Sequence, residues 1–342
     1  MLLEARQQFE ETPQIKEAEL LFTDFMLQWL EMMKHQIELT TYASYSRAVK
    51  NRIVPHFKEK EILLKDLQPK HIQEFYQYEL KTRGVKPNTV IRIHANVRKA
   101  LQYAFKTGLI SSNPADKIER PKKNTFIASF YDSEEIKVLV ETIKGDPIEL
   151  AVQLAAFYGL RRSEVVGLKW DAIDFKNKSI SIQHTVISVS VEGQYITVAK
   201  DRTKNKASRR TLPLIPAFES LLLQLKAQQE NNQIQYHSSY CTEYTDYIYL
   251  DKLGQRIKPG YITQHFPFML EKFGLRRIRF HDLRHSCASL LLANGVGMKE
   301  IQEWLGHSDF STTANIYAHL DYSSKVSSAQ AMNNCLQLDE LL

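Results

Sequence analysis

The chain has 342 residues, 43% of them hydrophobic and 25% charged, and carries a net charge of +6. At this length two domains with real cores are the natural expectation. No stretch approaches the ~20 uninterrupted apolar residues of a membrane span, and no secretory leader pattern opens the chain. Cys241, Cys287 and Cys335 are scattered without CxxC spacing, which argues against a disulfide scaffold or zinc finger and fits a reducing, cytoplasmic interior.

Ile15, Ala18, Phe22, Phe25, Met26, Trp29, Leu30 and Met33 recur at helical spacing and predict an amphipathic helix over about 15–34. A second helix begins near Thr40-Thr41, whose hydroxyls can cap it, and runs to Val54, where Pro55 stops it. Pro69 opens a third helix through Leu80. Lys86-Pro87-Asn88-Thr89 starts a fourth, with Val90, Ile93, Val97, Leu101 and Phe105 on one face and Gly108 ending it. These four make a small all-helical domain over 17–115, and 116–128, with Arg120-Pro121-Lys122-Lys123, reads as a linker.

A second domain opens near residue 129, where Asp132 or Ser133 can cap a helix, and the helical pattern continues through 148–169. Alternating β-branched residues from Ile180 to Val198, broken by Gly193, predict short antiparallel strands, with a further strand over Arg210–Leu214. From about 216 the chain turns mainly helical again, apart from a looser tyrosine-rich stretch at 236–249. The domain ends near 320, and the tail 321–342 holds a small amphipathic segment, Ala329, Met332 and Leu336.

Charge is unevenly spread. Residues 1–31 hold two basic and seven acidic side chains and residues 321–342 one and three, which leaves +13 on the stretch between. A basic body suits a polyanion, whose neutralised phosphates release counterions. In the helical domain Arg47, Lys50, Lys86, Arg92 and Arg98 are candidate phosphate or groove contacts, although a solvated surface explains each one equally well.

Chemistry concentrates in three short stretches: Gly-Leu-Arg-Arg-Ser-Glu (159–164), His-Asp-Leu-Arg-His (281–285), and Leu-Gly-His (305–307) followed by Ile-Tyr-Ala-His-Leu (316–320). Arg161 at a bend can send a planar, permanently charged fork to a phosphate's non-bridging oxygens, and Glu164 three residues on can orient it or cap nearby backbone. His281 and Arg284 share one helical face. A zinc reading of His281 with His285 is weak, because the intervening residues are not those of His-Glu-x-x-His; His285 is expected to be packed or capping. Gly306 predicts a helix C-cap that puts His307 at a helix end. Tyr317 is one of sixteen tyrosines and stands out only by its position ten residues past His307, with Ser311-Thr312-Thr313 able to cap a short helix before it. Between the first two stretches, Lys200, Arg202, Lys204, Lys206, Arg209 and Arg210 crowd a hairpin, most of them expected to be solvated or to position phosphates.

This set and its order resemble the catalytic signature of the tyrosine recombinases, the phage-integrase family, most closely the integrases of phages and conjugative transposons. The resemblance covers most of the chain and is most specific in the second half. It implies a mainly α fold with a small antiparallel β-sheet: a helical SAM-like core-binding domain and a mixed α/β catalytic domain, closing as a C-shaped clamp on DNA. It implies that Arg161, His281, Arg284 and His307 stabilise charge on one phosphate, that Tyr317 is the nucleophile, with Tyr322 its nearest decoy, and that a hairpin lysine protonates the leaving 5′ hydroxyl. Counting back from Arg209-Arg210 and Pro213 selects Lys204, with Lys206 the runner-up and, with Arg209, a candidate DNA contact.

The implied partners are double-stranded DNA carrying specific sites, a homotetramer on that DNA, and a directionality factor or DNA-bending protein. The tail can dock on a neighbouring protomer or on its own chain. No cofactor or metal is implied, so cleavage is expected in excess chelator and without ATP. The alternatives are relaxation of one duplex in the manner of type IB topoisomerases and a non-catalytic DNA-binding regulator on the same fold. Many family members carry a further arm-binding domain ahead of the core-binding part. About 15 residues stand there, which leaves a simpler recombinase or a longer parent protein.

Overall fold

The structure is a computed structural model of the chain, and it describes residues 19–124, 129–201, 209–306 and residue 333. The chain divides into two units, one within Met1–Phe126 together with Val189–Ile196, the other within Ile127–Ser188 together with Thr197–Leu342. Among the described residues the architecture is mainly helical with small antiparallel sheets, and no helix is long and apolar enough to cross a membrane.

The first unit comprises α1 (Phe22–Lys34), α2 (Leu39–Ala48), the one-turn α3 (Val54–Phe57), α4 (Pro69–Lys81) and α5 (Pro87–Lys106). Helix α1 starts at Phe22 because the backbone before it is committed elsewhere. The Phe22 N–H donates to the Ile62 carbonyl at 2.9 Å, and the Leu20 carbonyl accepts from Leu64 at 2.8 Å. Ile15 and Ala18 lie outside the described residues. Trp29, Phe22, Phe25 and Met26 bury almost completely against Phe57, Phe75 and Tyr76, a core built on the predicted stripe. Phe105 departs from its predicted face and is 46% exposed.

Pro55 does not stop the second helix. The chain passes from α2 through a π-helical segment, Val49–Ile53, directly into α3, with Pro55 in that helix's first turn. A proline lacks an N–H and crowds the carbonyl four residues back, which here is Asn51. A π turn widens the spiral at that point, and the Asn51 carbonyl accepts from Arg83 Nη1 at 3.4 Å. Arg83 also pairs with Glu79 at 3.2 Å, and Arg52 pairs with the same carboxylate. Glu79 has no exposed side-chain surface, and the two guanidiniums paired with it themselves reach water.

In the second unit Asp132 caps α6 (Ser133–Thr142) as expected: its carboxylate accepts from the Glu135 N–H at 2.9 Å, and Glu135 accepts from the Asp132 N–H at 3.0 Å. Helices α7 (Glu149–Tyr158) and α8 (Arg162–Val166) follow. Strands β1 (Ile173–Asp174), β2 (Ser179–Ile182) and β5 (Arg210–Pro213) form an antiparallel sheet in the order β1-β2-β5, with Ile180 opposite Leu212 and Ile182 opposite Arg210. Strands β3 (Thr185–Val191) and β4 (Gln194–Lys200) form a separate pair. The long α9 (Pro216–Tyr236), α10 (Pro259–Lys272), α11 (Asp282–Ala293) and α12 (Met298–Leu305) complete the described part. The core gathers Leu154, Val165, Ile180, Leu222, Phe266 and Leu283 from these elements and Ile248 from the stretch between α9 and α10.

Removing the carboxylate that neutralises Arg52 and Arg83 should cost stability. Glu79→Ala is expected to lower the unfolding free energy by about 2 kcal/mol, less than for a fully buried pair because both arginines keep solvent contact. Urea titration checks this as a lower midpoint at unchanged slope.

Candidate functional site

The site grows from a break in the helical run. Helix α7 ends at Gly159, which adopts φ +63°, a conformation that costs a side chain about 1–2 kcal/mol. A Cβ there would also lie 2.3 Å from Leu305 Cδ2 and 3.4 Å from Cys287 Sγ. The turn lets the chain restart at Arg161 as the residue before α8. The Arg161 N–H donates to Glu164 Oε2 at 2.9 Å, its Nη1 donates to Glu164 Oε1 at 2.6 Å, and its Nη2 donates to the Gly306 carbonyl at 3.1 Å. Glu164 therefore both orients the guanidinium and caps the helix, the two roles the spacing predicts.

A second guanidinium reaches the same carboxylate. Arg210, at the start of β5, donates from Nη2 to Glu164 Oε2 at 3.0 Å with only 5% of its side chain exposed. It was expected among the solvated basic residues of the hairpin, and the structure corrects this. Its signal was the strand's period of two: Arg210 alternates with buried Leu212, inward at the register opposite Ile182. Burial of the Glu164 carboxyl opposes its charge, but Arg210, then Arg161 and Arg284, outweigh that and hold it below the usual carboxylate range.

Arg284, on the first turns of α11, is 1% exposed. Its Nη1 donates to the Gly159 carbonyl at 2.6 Å and its Nη2 to the Leu305 carbonyl at 2.5 Å. Burial pushes its guanidinium well below the ordinary value, Arg161 adds to that, and Glu164 opposes it; a guanidinium starts so high that it stays charged. His281 stands just before α11 and is exposed as a residue. Its ring nevertheless packs edge-on to His285, with centroids 5.2 Å apart. Burial of that ring, then His285 and Arg284, push the imidazole down to about 4, so His281 is neutral near pH 7. His285 packs as expected, and burial lowers its imidazole too. Its Nδ1 is buried without a hydrogen-bond partner among the described residues. Cys287 donates to the Phe157 carbonyl at 3.0 Å, and burial raises its thiol to about 12, leaving it unreactive.

The structure thus brings together Arg161, His281 and Arg284 from segments far apart in the chain, and adds Glu164 and Arg210. Gly306 caps α12 with φ +68° as predicted; His307, which follows, lies outside the described residues, as do Lys204, Lys206, Tyr317 and, residue 333 apart, the tail. Of the proposed DNA contacts, Arg47, Lys86 and Arg92 are exposed. Lys50 pairs with Glu192 at the tip of the β3–β4 hairpin, which groups with the first unit. Arg98 pairs with Asp116 at 2.5 Å, and Arg209 donates to the Asp201 carbonyl at 3.1 Å.

Residues 129–324 match the model of the phage integrase family, and residues 21–80 match that of the phage integrase N-terminal SAM-like domain. A XerC-like tyrosine recombinase from Caldanaerobacter subterraneus subsp. tengcongensis is 29% identical over 91% of this chain and 82% of its own length. The ICEBs1 integrase of Bacillus subtilis is 24% identical over 97% and 88%. Among solved structures, the Tn1549 transposon integrase in complex with circular intermediate DNA aligns with a TM-score of 0.71 at 17% identity, covering 91% of this chain and 99% of that one. A lambda integrase tetramer bound to a Holliday junction aligns with a TM-score of 0.64 at 16% identity, covering 92% and 84%.

Gly159→Ala tests how the site is assembled. The positive φ and the packed Leu305 together are expected to cost about 2–4 kcal/mol, read as a lower denaturation midpoint. Both carbonyls that hold Arg284 flank the clash, so DNA cleavage should fall further than the loss of folded protein accounts for.

Proposed function

The chain belongs to the phage integrase family, and from that premise we propose that it is a site-specific DNA recombinase that cuts and rejoins double-stranded DNA through a 3′-phosphotyrosyl intermediate and a Holliday junction. The observation that supports this reading is the convergence of Arg161 and Arg284, both beside one buried carboxylate, with the neutral imidazole of His281. Fixed guanidiniums beside an uncharged proton acceptor suit a phosphodiester that gains charge in its transition state.

The phenol oxygen of Tyr317 attacks phosphorus, the bond from phosphorus to the 5′ oxygen breaks, and the leaving oxygen takes its electron pair and a proton from Lys204. Arg161, Arg284 and His307 carry the charge on the equatorial oxygens, and neutral His281 accepts a hydrogen bond or assists the proton leaving the phenol. The 5′ hydroxyl of a partner strand then attacks the phosphotyrosine and restores the phosphodiester, which conserves the bond's energy. Glu164 and Arg210 position Arg161 and do not touch the DNA.

Arg47, Lys50, Lys86, Arg92, Arg98, Lys206 and Arg209 serve as phosphate contacts in this reading, and a homotetramer assembles on two sites. The tetramer rests on likeness to the lambda integrase assembly. The relatives named as integrases favour integration and excision. A directionality factor or DNA-bending protein and a cytoplasmic, nucleoid-associated location complete the proposal.

A suicide DNA substrate, which loses its cleaved end by diffusion, tests the nucleophile. Wild type is expected to give a covalent protein–DNA band on a denaturing gel and Tyr317→Phe none; a band from both would transfer the role to Tyr322.

The pH dependence tests His281. Its neutral form accepts the proton, and that form is lost only as pH falls through about 4. The second-order rate of covalent adduct formation reports the free enzyme and should show no inflection near the ordinary imidazole value of about 6.5. An acid limb centred there would assign His281 its ordinary ionisation and sink this role.

A further inference from the structure

We propose that Arg279 and Asp282 are positioning residues for His281: their ion pair closes the turn in which the imidazole stands and so aims the ring, and neither side chain acts on the DNA. This rests on the recombinase reading above and on the role given there to His281. Among the described residues no hydrogen bond orients the His281 ring, which packs edge-on to His285. Its direction therefore comes from that packing and from the backbone that carries it.

That backbone is anchored on both sides. Phe280 is 7% exposed, and its ring meets Phe266 of α10 edge-on with centroids 5.7 Å apart. Asp282 is 2% exposed. Its carboxylate accepts from the Arg279 N–H at 2.8 Å, from Arg279 Nε at 3.0 Å and from Nη2 at 2.6 Å. The Asp282 N–H donates in return to the Arg279 carbonyl at 2.8 Å. Residues 279–282 thus form a turn closed through backbone and side chain together, with His281 inside it.

Asp282 is also held from behind. The buried Ser286 hydroxyl donates to the Asp282 carbonyl at 3.2 Å and accepts from the Tyr131 N–H at 2.8 Å. Tyr131 in turn donates from its hydroxyl to the Arg276 carbonyl, with the Arg276 guanidinium 4.9 Å from its ring centre. The residue after His281 is therefore fixed at its carboxylate and at its carbonyl.

The same device stands at the entry to α8. There an arginine N–H and guanidinium, those of Arg161, both donate to the carboxylate three residues on, Glu164. At α8 the stapled arginine is itself a site residue; at α11 the site residue is the histidine enclosed by the staple. Arg279 is 57% exposed in its side chain, and a pair with so exposed a partner contributes little to folding. A two-pronged grip supplies geometric definition instead.

The test reads the rate of covalent adduct formation on a suicide DNA substrate, and DNA affinity by gel shift. The proteins are wild type, Arg279→Lys, Asp282→Asn and His281→Gln, and each of the first two substitutions combined with the third. Arg279→Lys keeps the charge and loses the planar fork. Both single variants are expected to form adduct at least about tenfold more slowly near pH 7 while binding DNA within about twofold of wild type. In the His281→Gln background the same substitutions should change the rate by less than about twofold, since no imidazole is left to aim.

The pH profile gives a second readout. Burial, then His285 and Arg284 on α11, hold the imidazole down to about 4, with Arg161 adding to them and Asp282 opposing. A ring released to water regains a value near about 6.5, and its neutral form is then lost as pH falls through that value. Arg279→Lys should therefore acquire an acid limb that wild type lacks. Asp282→Asn also removes the opposing carboxylate, so the limb is read on Arg279→Lys.

Losses that persist in the His281→Gln background, a fall in affinity matching the fall in rate, unchanged rates in both single variants, or no acid limb in Arg279→Lys would each overturn the staple. The exposed Arg279→Lys keeps the test decisive if Asp282→Asn does not fold. His281→Gln as fast as wild type, with Tyr317→Phe inactive, overturns the staple and leaves the recombinase reading standing. No adduct from wild type removes both.

Discussion

Everything in the site depends on keeping one guanidinium charged where water cannot reach it. Arg284 is 1% exposed, and an unpaired ion at such depth would cost several kcal/mol or more. Its fork is satisfied by two carbonyls at element ends, Gly159 after α7 and Leu305 at the close of α12. Those carbonyls face Arg284 only because the helices stop there. Helix termination, which leaves carbonyls without helical donors, thus supplies the ligands for the buried cation, and the cation in turn fixes how three helices meet. Cys287 and Leu305, packed around Gly159, leave no room for a side chain at that point.

The same two-residue end of α12 serves both arginines. Arg284 holds the Leu305 carbonyl and Arg161 holds the Gly306 carbonyl, and the next residue is His307. The charge of each guanidinium is therefore coupled to the position of the chain that leads towards His307 and Tyr317. Glu164 completes the arrangement. One carboxylate between Arg161 and Arg210, with Arg284 close by, offsets part of a local positive charge that would otherwise repel itself, and leaves a net cation for a phosphate. Burial, then His285 and Arg284, keep the His281 imidazole unprotonated and able to accept, so the cations that attract phosphate add to what burial of the ring begins.

Much of this was legible before any coordinates, for identifiable reasons. Periodic apolar stripes placed the helices of the first unit, since burial of one face is what such a stripe is for. The Gly159-Leu160-Arg161 break and the Gly306 cap were readable because few residues other than glycine tolerate the left-handed turn. Glu164's double role followed from helical spacing alone. Where the reading failed, local rules were overruled by distant partners. Pro55 reads as a stop, but a π turn and Arg83, from the turn that follows α4, take up the carbonyl it strands. Phe105 fits the apolar period of α5 but falls at its end, outside the packed face. Arg210 sits in a run of basic residues where composition suggests solvent; the period of two that it shares with Leu212 points it inward, and the distant Glu164 is the partner its buried charge requires.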